Sequence, residues 1–595
     1  MPNHFGSLHY LGVICYQLGA FDIAYKFISQ AIQINSDVAS AHANLGLVLQ
    51  KLNRPNDALI SYEKALALNP DSAEVYNNRS GALKELKRPT DALRSCEQAL
   101  RLNPGYGDAH ISRGNALIEL KRFTEAISAY AKALEILPNR EFLLGTLLHN
   151  KMRVCDWTDF STSLSRLEVN ISKGIRVSNP FPVLALTDNP ELQHQAARIF
   201  VETRYPQITP NPRPFKQRSK EKIRIGYYSA DFRAHAVSYL IADLIKTHNR
   251  EKFEIIGFSF SPPTNDPIQL RILSYFDKIY DITSLSDKNA AMLSRDAEID
   301  IAIDLGGHTQ GARSGLFAER CAPIQVNYLG YPGTLGATYI DYIIADKVVI
   351  PTTDQKFFTE KIVYLPHSFH ACDSTRKISS RIFSRQELKL PESESDFVFC
   401  CFNNSYKITP ATFESWMRIL CAVNGSVLWL YADDPAAIEN LKREAERRGV
   451  SGDRLIFAST MAYDDYLARY RSADLFLDTL PYNGGTTASD ALWAGLPVLT
   501  CMGVSFASRM AASMLIALDL PELVTRSSAD YECAAIELAR NAETLKSVKM
   551  KLDRNRTTAP LFDGNRFAGH IESAYETMHT RHLKGLMPDH IHVER

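Results

Sequence analysis

The spacing of small and apolar residues divides the first 140 residues into four similar segments of 34 residues. The segments begin at Phe5, Ala39, Ala73 and Gly107. Small side chains at fixed positions indicate helices in close contact, so the pattern predicts a pair of packed helices in every segment. Three columns carry these small residues: Gly12, Gly46, Ser80 and Gly114; Ala24, Ala58, Ala92 and Ala126; and Ala31, Ala65, Ala99 and Ala133.

Prolines end the second helix of three segments, at Pro70, Pro104 and Pro138, and the first segment has Ser36 instead. This period and these columns resemble the tetratricopeptide repeat, whose helix pairs stack into a superhelix because one pair cannot bury its own apolar face. Four repeats exceed the roughly three that such a stack needs.

Two asparagines occupy one position of the repeats, Asn44 and Asn78. The resemblance places them on the concave face, where their amides would bind the backbone of an extended protein acceptor. Tyr10 and Ser112 fill the same position in the other repeats, so this ladder is incomplete. Solvated helix surface is the alternative interpretation.

Short runs rich in β-branched and aromatic residues alternate with helical stretches from Ile223 onward, which predicts parallel sheets with crossover helices. The polar stretch KLPESESD, after Arg385, divides these strands between two Rossmann-like lobes. The predicted class is α + α/β, with a helical transition that ends in the basic, proline-rich linker NPRPFKQRSKEK. The predicted divisions are repeats at 1–140, transition and linker at 141–215, a first lobe at 216–390, a second lobe at 391–562, and a closing helix and tail at 563–595.

The charge balance does not change the predicted fold class and domain divisions. Lys plus Arg and Asp plus Glu both number 67, so no overall field favours nucleic acid or an acidic membrane. The ten cysteines form no CxxC pair, which is typical of reduced thiols in a cytosol-like compartment. The first residues lack a basic leader, and no run approaches the ~20 apolar residues of a membrane span. We expect a cytoplasmic protein without nucleic-acid or membrane partners.

Ligands of paired Rossmann-like lobes bind beyond the carboxyl ends of the strands. One candidate phosphate loop there is LGYPGTLGA, which includes Pro332, Gly333 and Thr334 and is expected to expose backbone N–H groups. A tight turn without a ligand is the alternative. The chain has no P-loop, and no GxGxxG follows a strand, so an NTPase or an NAD enzyme has little support.

A second candidate loop is LPYNGGTTASD, in which Gly485 precedes Thr486 and Thr487 at the start of a helix. The free N–H groups and the dipole of such a terminus can bind a diphosphate. A tight turn is again the alternative.

Several long strings occur in order behind the repeats: SADFRAHAVSYL, GARSGLFAERCAPIQVNYLGYPGTLGATYIDYIIAD, FNNSYKITPATFESWMRIL and LDTLPYNGGTTASDALWAGLPVLT. Together they resemble the O-linked N-acetylglucosamine transferase family, including its SPINDLY-like members. The short segment between HSFHACD and FVFCCFNN resembles bacterial-type members, which lack an inserted domain there. The resemblance implies a GT-B fold and an inverting transfer of N-acetylglucosamine from UDP-N-acetylglucosamine to Ser or Thr of proteins.

The resemblance assigns Lys407 to the donor diphosphate, with Asn404 beside it. Breaking the sugar–phosphate bond puts negative charge on the leaving nucleotide, which a lysine can stabilise. His235, in the family's DFxxH pattern, would take or shuttle the acceptor proton, and a purely positional role is the alternative. Tyr406 would shape the sugar pocket. No two aspartates are separated by one residue, so the DxD metal motif is missing and a reaction without metal or other cofactor is expected.

The same resemblance assigns residues to the nucleoside part of the donor. Asp490 would accept hydrogen bonds from the ribose, with a helix-capping carboxylate as the alternative, and Arg469 would face the nucleotide. Tyr463 and Tyr466 stand where animal members have a lysine and a histidine at the base, and stacking of these rings is expected to substitute. Gly485 stands where those members have a histidine.

Because of these departures, the choice between a uridine and a guanosine donor stays open. The SPINDLY branch, which uses guanosine-linked fucose, shares FNN and KITP with this chain, whereas NGGTT, Asp490 and WAG are closer to the N-acetylglucosamine branch. We favour the uridine donor, with GDP-fucose as the first alternative and a non-catalytic scaffold that senses nucleotide sugars as the second. His308 and Asp304, in IDLGGHTQGAR, are weaker candidates that we interpret as structural.

Overall fold

A computed structural model describes residues 4–207, 222–264, 266–393 and 396–594. The chain divides into two compact units, Met1–Lys151 and Met152–Arg595. The predicted boundary between residues 215 and 216 and the linker residues 211–221 lie outside the described residues.

The described part of the first unit contains four helix pairs that begin where the repeat pattern predicts. Within each pair the two helices pack together, and the second helix of one pair contacts the first helix of the next. The pairs are α1 (Phe5–Gln17) with α2 (Phe21–Ile34), α3 (Ala39–Lys51) with α4 (Pro55–Leu68), α5 (Ala73–Glu85) with α6 (Pro89–Leu102), and α7 (Gly107–Glu119) with α8 (Phe123–Ile136).

The glycines of the first small column leave space for the side chain sixteen positions later in the chain. A Cβ on Gly46 would lie 2.4 Å from the ring of Tyr62, and one on Gly114 would lie 2.5 Å from the ring of Tyr130. Gly12 faces Ile28 in the same way, at 2.4 Å. The third repeat instead pairs Ser80 with the smaller Cys96. Glycine is therefore used where the facing side chain is large.

We expect Gly114→Ser to lower the free energy of unfolding of the repeats by about 1–3 kcal/mol, because the hydroxymethyl group overlaps the Tyr130 ring. Adding Tyr130→Cys recreates the Ser80 and Cys96 pair, so the second change should be less damaging in the Gly114→Ser background than in the wild type. Thermal unfolding of the full chain measures both effects. Gly105→Ser is the control, since its Cβ would approach nothing closer than 3.6 Å. If the effects of Gly114→Ser and Tyr130→Cys on stability simply add, the explanation from packing is contradicted.

The two asparagines of the predicted ladder differ in their surroundings. The Asn44 amide lies 2.9 Å from Nε2 of His9 on the neighbouring helix, whereas the half-buried Asn78 side chain makes no hydrogen bond within the described residues. Peptide binding by this pair stays a prediction.

Four helices connect the repeats to the first sheet: α9 (Leu143–Arg153), α10 (Phe160–Ser172), α11 (Pro180–Leu186) and α12 (Pro190–Arg204). The turn after α9 is fixed to the second lobe. Cys155 is fully buried in that lobe's core, the Asn440 amide donates to the Val154 carbonyl at 2.8 Å, and the Trp157 ring lies 5.3 Å from that of Phe413.

The predicted parallel sheets are both present. The first, in the described residues, has the order β14-β7-β6-β5-β4-β1-β2-β3. Its strands are β1 (Ile223–Ser229), β2 (Phe253–Ser259), β3 (Lys278–Asp281), β4 (Ile301–Asp304), β5 (Ile324–Asn327), β6 (Tyr342–Asp346), β7 (Lys361–Leu365) and β14 (Ile591–His592). Its helices are α13 (Ala236–Thr247), α14 (Pro267–Leu273), α15 (Asp287–Asp296) and α16 (Ser314–Ala318).

The second sheet has the order β10-β9-β8-β11-β12-β13 among the described residues. Its strands are β8 (Val398–Cys401), β9 (Val427–Tyr431), β10 (Leu455–Ala458), β11 (Leu475–Leu477), β12 (Val498–Cys501) and β13 (Val524–Thr525). Its helices are α17 (Pro410–Ala422), α18 (Pro435–Glu446), α19 (Tyr463–Arg469), α20 (Thr486–Trp493), α21 (Met510–Ala517), α22 (Ser528–Arg540) and α23 (Ala542–Thr558).

The end of the chain returns to the first lobe. Helix α24 (Gly564–Leu583) buries Tyr575 against that lobe, with its hydroxyl 3.1 Å from that of Tyr227. The tail after it joins the sheet: Ile591 is buried and the Val593 N–H donates to the Tyr364 carbonyl at 3.0 Å, which adds β14 to the sheet edge. None of the helices in the described ranges combines the length and apolar character needed to cross a bilayer.

Candidate active site

The residues that follow β8 and β11 meet at one edge of the second sheet, as the carboxyl ends of parallel strands must. Asn403 connects them. Its amide group donates to Asp478 Oδ1 at 3.1 Å and to Thr479 Oγ1 at 2.8 Å, and its carbonyl accepts from the Thr487 hydroxyl in the first turn of α20. One buried asparagine therefore fixes two strand ends and a helix start.

Asp478 is the buried carboxylate around which the next loop turns. It accepts from the backbone N–H groups of Thr479 at 2.9 Å and Gly484 at 2.7 Å, and from the Thr500 hydroxyl at 2.8 Å. Burial raises the pKa of Asp478 to about 6, while these hydrogen bonds and the charge of Lys407 oppose the rise. The loop that leads into α20 is thus held from within.

Lys407 is buried against this loop. Its ammonium donates to the Asn483 carbonyl at 2.8 Å and lies 3.7 Å from the centre of the Tyr482 ring. Burial lowers the pKa of Lys407 to about 8, and Asp478 opposes this shift. The turn that carries the lysine is fixed by the Ser405 hydroxyl, which donates to the Arg153 carbonyl at 2.6 Å.

Helix α20 begins beside this lysine with an open N-terminus. No side chain caps it, and among the described residues the N–H groups of Thr486 and Thr487 have no acceptor. A Cβ on Gly484 would lie 3.0 Å from Asn403 Oδ1, and Gly485 leaves the terminus uncovered by a side chain of its own. A buried positive charge next to free helix N–H groups is an anion site in physical terms.

Asp490, one turn into α20, forms a buried ion pair with Arg376. Its Oδ1 accepts from Arg376 Nη1 at 2.6 Å and from the Tyr463 hydroxyl at 2.8 Å. Burial raises the pKa of Asp490 and the charge of Arg376 opposes that rise. The carboxylate expected to bind ribose is oriented by two partners, and its ribose role stays a prediction.

The expected base-stacking residues already pack on other rings. The Tyr463 ring stacks on Tyr239 of α13, with centroids 3.8 Å apart and planes 19° apart, so the two lobes touch here. The Tyr466 hydroxyl lies 2.7 Å from that of Tyr470. A base that stacked on the covered face of Tyr463 would have to displace Tyr239.

Arg469 is buried in an aromatic cage. Its guanidinium carbon lies 4.2 Å from the Phe402 ring centre, 4.7 Å from that of Tyr466 and 5.8 Å from that of Trp429. Nη1 donates to the Ser459 carbonyl at 2.8 Å, and burial lowers the pKa of this arginine. Its contact with a nucleotide stays a prediction.

The two residues predicted beside Lys407 have different environments. The Tyr406 ring lies 5.9 Å from Phe181 and 6.4 Å from Tyr482, and burial raises its pKa to about 12. Asn404 is exposed at the start of the turn. Their substrate contacts stay predictions.

His235 is the N-cap of α13, one turn before Tyr239. Its side chain is 41% exposed, and Nδ1 lies 3.6 Å from Asp231 Oδ2 and 3.3 Å from the Val237 nitrogen. Partial burial lowers the pKa of His235, and Asp231 opposes that shift. The structure connects His235 to the α20 cluster through Tyr239 and Tyr463.

The profile of glycosyl transferase family 41 matches residues 206–382 and 374–571, and tetratricopeptide repeat profiles match residues 39–72 and 82–141. The chain belongs to glycosyl transferase family 41. The family profile thus spans the candidate site residues from His235 to Asp490.

Curated relatives carry transferase names. The probable UDP-N-acetylglucosamine–peptide N-acetylglucosaminyltransferase SEC of Arabidopsis thaliana is 34% identical over 468 residues, 75% of this chain and 48% of that protein. The corresponding Caenorhabditis elegans enzyme is 27% identical over 568 residues, 74% of this chain and 49% of that protein. The chain spans about half the length of these relatives. A solved mutant structure of the Thermobaculum terrenum O-GlcNAc transferase is similar over 92% of this chain and 98% of its own, with a TM-score of 0.70 and 27% identity.

One expectation for this family 41 chain is wrong. The loop with Pro332, Gly333 and Thr334 was expected to expose its N–H groups, but these residues are buried. The Gly333 N–H donates to the Tyr331 carbonyl at 3.0 Å, and the buried Glu360 accepts from the Thr334 hydroxyl at 2.5 Å and the Leu335 N–H at 2.6 Å. Because the N–H groups of Gly333 and Leu335 are satisfied within the loop, neither is free to bind a phosphate.

Helix α12 covers that loop, because a Cβ on Gly336 would lie 2.5 Å from the Arg198 nitrogen. Nε2 of the nearby His308 lies 2.9 Å from the Leu335 carbonyl, which can only accept, and burial lowers the pKa of His308 to about 4. Asp304 accepts from the N–H groups of Gly306 and Gly307 at 2.9 and 3.0 Å. Both side chains hold the backbone, in keeping with the structural interpretation.

Sequence reasoning missed four residues that lie around the start of α20: His370, Arg376, Asn403 and Asp478. Asp478 directly follows a strand in LFLDT, a position that could have marked it. Asn403 directly precedes Asn404, the asparagine that the resemblance indicated. His370 and Arg376 lie in an irregular segment whose sequence gives no signal of its own. No cluster of His, Cys, Asp and Glu suited to hold a metal occurs in the part of the chain that the structure describes.

Proposed function

We propose that this protein catalyses inverting, metal-independent transfer of N-acetylglucosamine from UDP-N-acetylglucosamine to Ser or Thr residues of proteins. The names of its relatives support the donor and the peptide acceptor. The observation that carries the proposal is the burial of the Lys407 ammonium, 2.8 Å from the Asn483 carbonyl, beside the uncapped start of α20.

The diphosphate of the donor binds at this start. In the reaction the acceptor oxygen attacks C1 of the sugar from the face opposite the diphosphate, the C1–O bond breaks, and UDP leaves with the electron pair. Negative charge therefore grows on the leaving oxygen, where Lys407 and the N–H groups of Thr486 and Thr487 stabilise it. These donors are already in place before the reaction, so little reorganisation is needed.

The acceptor hydroxyl loses its proton to His235 in this mechanism. A hydrogen bond from Nδ1–H to Asp231 leaves Nε2 unprotonated and able to accept, whereas acceptance at Nδ1 from Val237 leaves Nε2 protonated. In the structure Nδ1 accepts from the Val237 N–H at 3.3 Å and Asp231 Oδ2 lies 3.6 Å away, so His235 acts as the base only after its ring exchanges the Val237 bond for one to Asp231. The lowered pKa of His235 supports a neutral ring at pH 7.

The nucleoside lies along α19 and α20 in this proposal. Asp490 accepts from the ribose hydroxyls through the lone pairs that Arg376 and Tyr463 leave available. Tyr463, Tyr466 and Arg469 form the wall for the base, with Tyr239 moving off the Tyr463 ring. The repeats bind the protein acceptor, and the amides of Asn44 and Asn78 contact its backbone.

Calorimetric titration of the metal-stripped protein with UDP and GDP in parallel tests the proposal first. Selective UDP binding, followed by transfer of labelled N-acetylglucosamine to protein hydroxyls, is the expected result. A preference for GDP would indicate a fucosyl donor instead. Binding of neither nucleotide would leave a repeat scaffold without a transferase site.

UDP binding is expected to take up protons above pH 8. Lys407, with its pKa lowered to about 8, is largely neutral at pH 8.5, and a bound diphosphate raises that pKa by favouring the ammonium. Between the two pKa values the complex holds a proton that the free protein lacks. Titration at pH 8.5 in buffers of different ionisation enthalpy measures the uptake. Identical heats in all buffers at pH 8.5 would argue against a neutralised Lys407.

A further inference from the structure

His370 fills the space in front of the uncapped start of α20. It lies after β7, in the irregular segment that runs between the lobes, and its side chain is almost completely buried. Its Nε2 lies 3.7 Å from the position that a Cβ on Gly485 would take. Among the described residues, no hydrogen bond to this Nε2 is found. A ring nitrogen without a partner is therefore aimed at the anion site.

The other side of the ring is held by a chain of hydrogen bonds. Arg376 Nη2 lies 3.3 Å from Ser489 Oγ, Ser489 Oγ lies 3.3 Å from Cys372 Sγ, and Cys372 Sγ lies 3.4 Å from His370 Nδ1. A guanidinium can only donate, so Ser489 accepts from it and can pass its own proton toward the thiol. The thiol can then donate to Nδ1, which leaves the proton of the neutral ring on Nε2.

The charge state agrees with this arrangement. Burial, and after it the charge of Arg376, lower the pKa of His370 to about 3 against the opposing effect of the Ala371 backbone, so the ring is neutral near pH 7. Burial raises the pKa of the Cys372 thiol to about 11, so it keeps its proton. A neutral N–H donor at Nε2 has no hydrogen-bond acceptor among the described residues, and a ligand oxygen would satisfy it.

We propose, on the basis of the function proposed above, that Nε2–H of His370 donates a hydrogen bond to the diphosphate of the bound nucleotide at the start of α20. The first lobe thereby supplies a diphosphate ligand at the position where Gly485 has no side chain. Cys372 and Ser489 act as positioning residues, because they set the tautomer and the orientation of the ring.

His370→Phe tests this inference, since it keeps the ring volume and removes the donor. We expect its affinity for UDP to fall about 10- to 100-fold, as for the loss of a hydrogen bond to a charged group. Affinity for uridine, which has no phosphate, should stay within about twofold of the wild type. His370→Gln, whose amide can donate from a similar position, should recover most of the UDP affinity. His367→Phe, in the same segment, is the matched control and should bind UDP normally.

Calorimetry with UDP, GDP and uridine separates the outcomes. Equal losses of affinity for UDP and uridine in His370→Phe would mean that the ring only supports the fold. Unchanged UDP affinity would mean that the ring makes no phosphate contact. Either result overturns the inference while leaving the transferase proposal intact. A wild-type protein that binds neither UDP nor GDP would instead defeat the proposed function, and this inference with it. If His370→Phe does not fold, failure of the folded His370→Gln variant to exceed His370→Ala in UDP affinity overturns the inference.

Discussion

We expect the replacement of Lys407 with methionine to lower the rate of the proposed sugar transfer by about a thousandfold or more, because the leaving diphosphate would lose a preorganised cation whose effect is largest in the transition state. Methionine nearly matches the lysine stem in volume and removes a charge that is expensive to bury, so the fold tolerates the change. We expect the melting temperature to stay within about 3 °C of the wild type. Turnover with saturating donor, measured beside a thermal melt, checks both parts.

Lys442→Met is the matched control, since that lysine lies in the same lobe with a side chain 43% exposed, and it should retain full activity. Lys407→Arg should also be inactive, because the larger guanidinium does not fit between the Tyr482 ring and the Asn483 carbonyl. Full turnover by Lys407→Met would mean that the leaving group is stabilised elsewhere and that the site has been assigned to the wrong residue.

The repeats could be predicted from sequence almost completely, because their information is local. A period of 34 residues fixes where each helix pair begins, and the small columns identify the faces through which the helices touch. What the columns do not reveal is the partner of each small residue. That Gly46 makes room for Tyr62, sixteen positions later, depends on how the second helix crosses the first.

The two glycine-containing loops show where sequence reasoning ends. Both follow strands and both contain closely spaced glycines, yet only the loop before α20 leaves its helix N–H groups free among the described residues. The other loop is filled by the carboxylate of Glu360 and covered by α12, which begins at Pro190. Neither partner adjoins that loop in sequence, so local composition predicts the same function for both.

The same limit explains why Arg376 could not be predicted. Asp490 could be selected because the family resemblance includes the string NGGTTASD that contains it. Its partner comes from a segment without regular structure, 114 residues earlier in the chain. An ion pair of this kind depends on how the lobes pack, which a single sequence does not encode in any short pattern.

That ion pair gives the largest expected effect on stability. Arg376→Met leaves the Asp490 carboxylate buried with the neutral hydroxyls of Tyr463 and Tyr466 as donors, and we expect a loss of about 3–5 kcal/mol in the free energy of unfolding. In a compact unit as large as Met152–Arg595 the melting temperature should fall by roughly 3–5 °C. The matched control is Arg381→Met, which breaks the exposed pair with Glu387 and should cost less than about 1 kcal/mol.

The pH dependence of the stability lost in Arg376→Met identifies the cause of that loss. Without Arg376 the pKa of Asp490 in the folded state rises further above its value in the unfolded chain. Between these two pKa values the folded variant holds a proton that the unfolded chain releases. The stability of the variant therefore falls as the pH rises through this range. The deficit of Arg376→Met should therefore be smaller at pH 5 than at pH 8. Adding Asp490→Leu removes the unpaired charge and should recover most of the stability at pH 8, while we expect UDP affinity to stay low because the proposed ribose acceptor is gone. A deficit that is independent of pH, or that the second change fails to relieve, would mean that Arg376 acts through packing against Trp493 and Phe562 rather than through its charge.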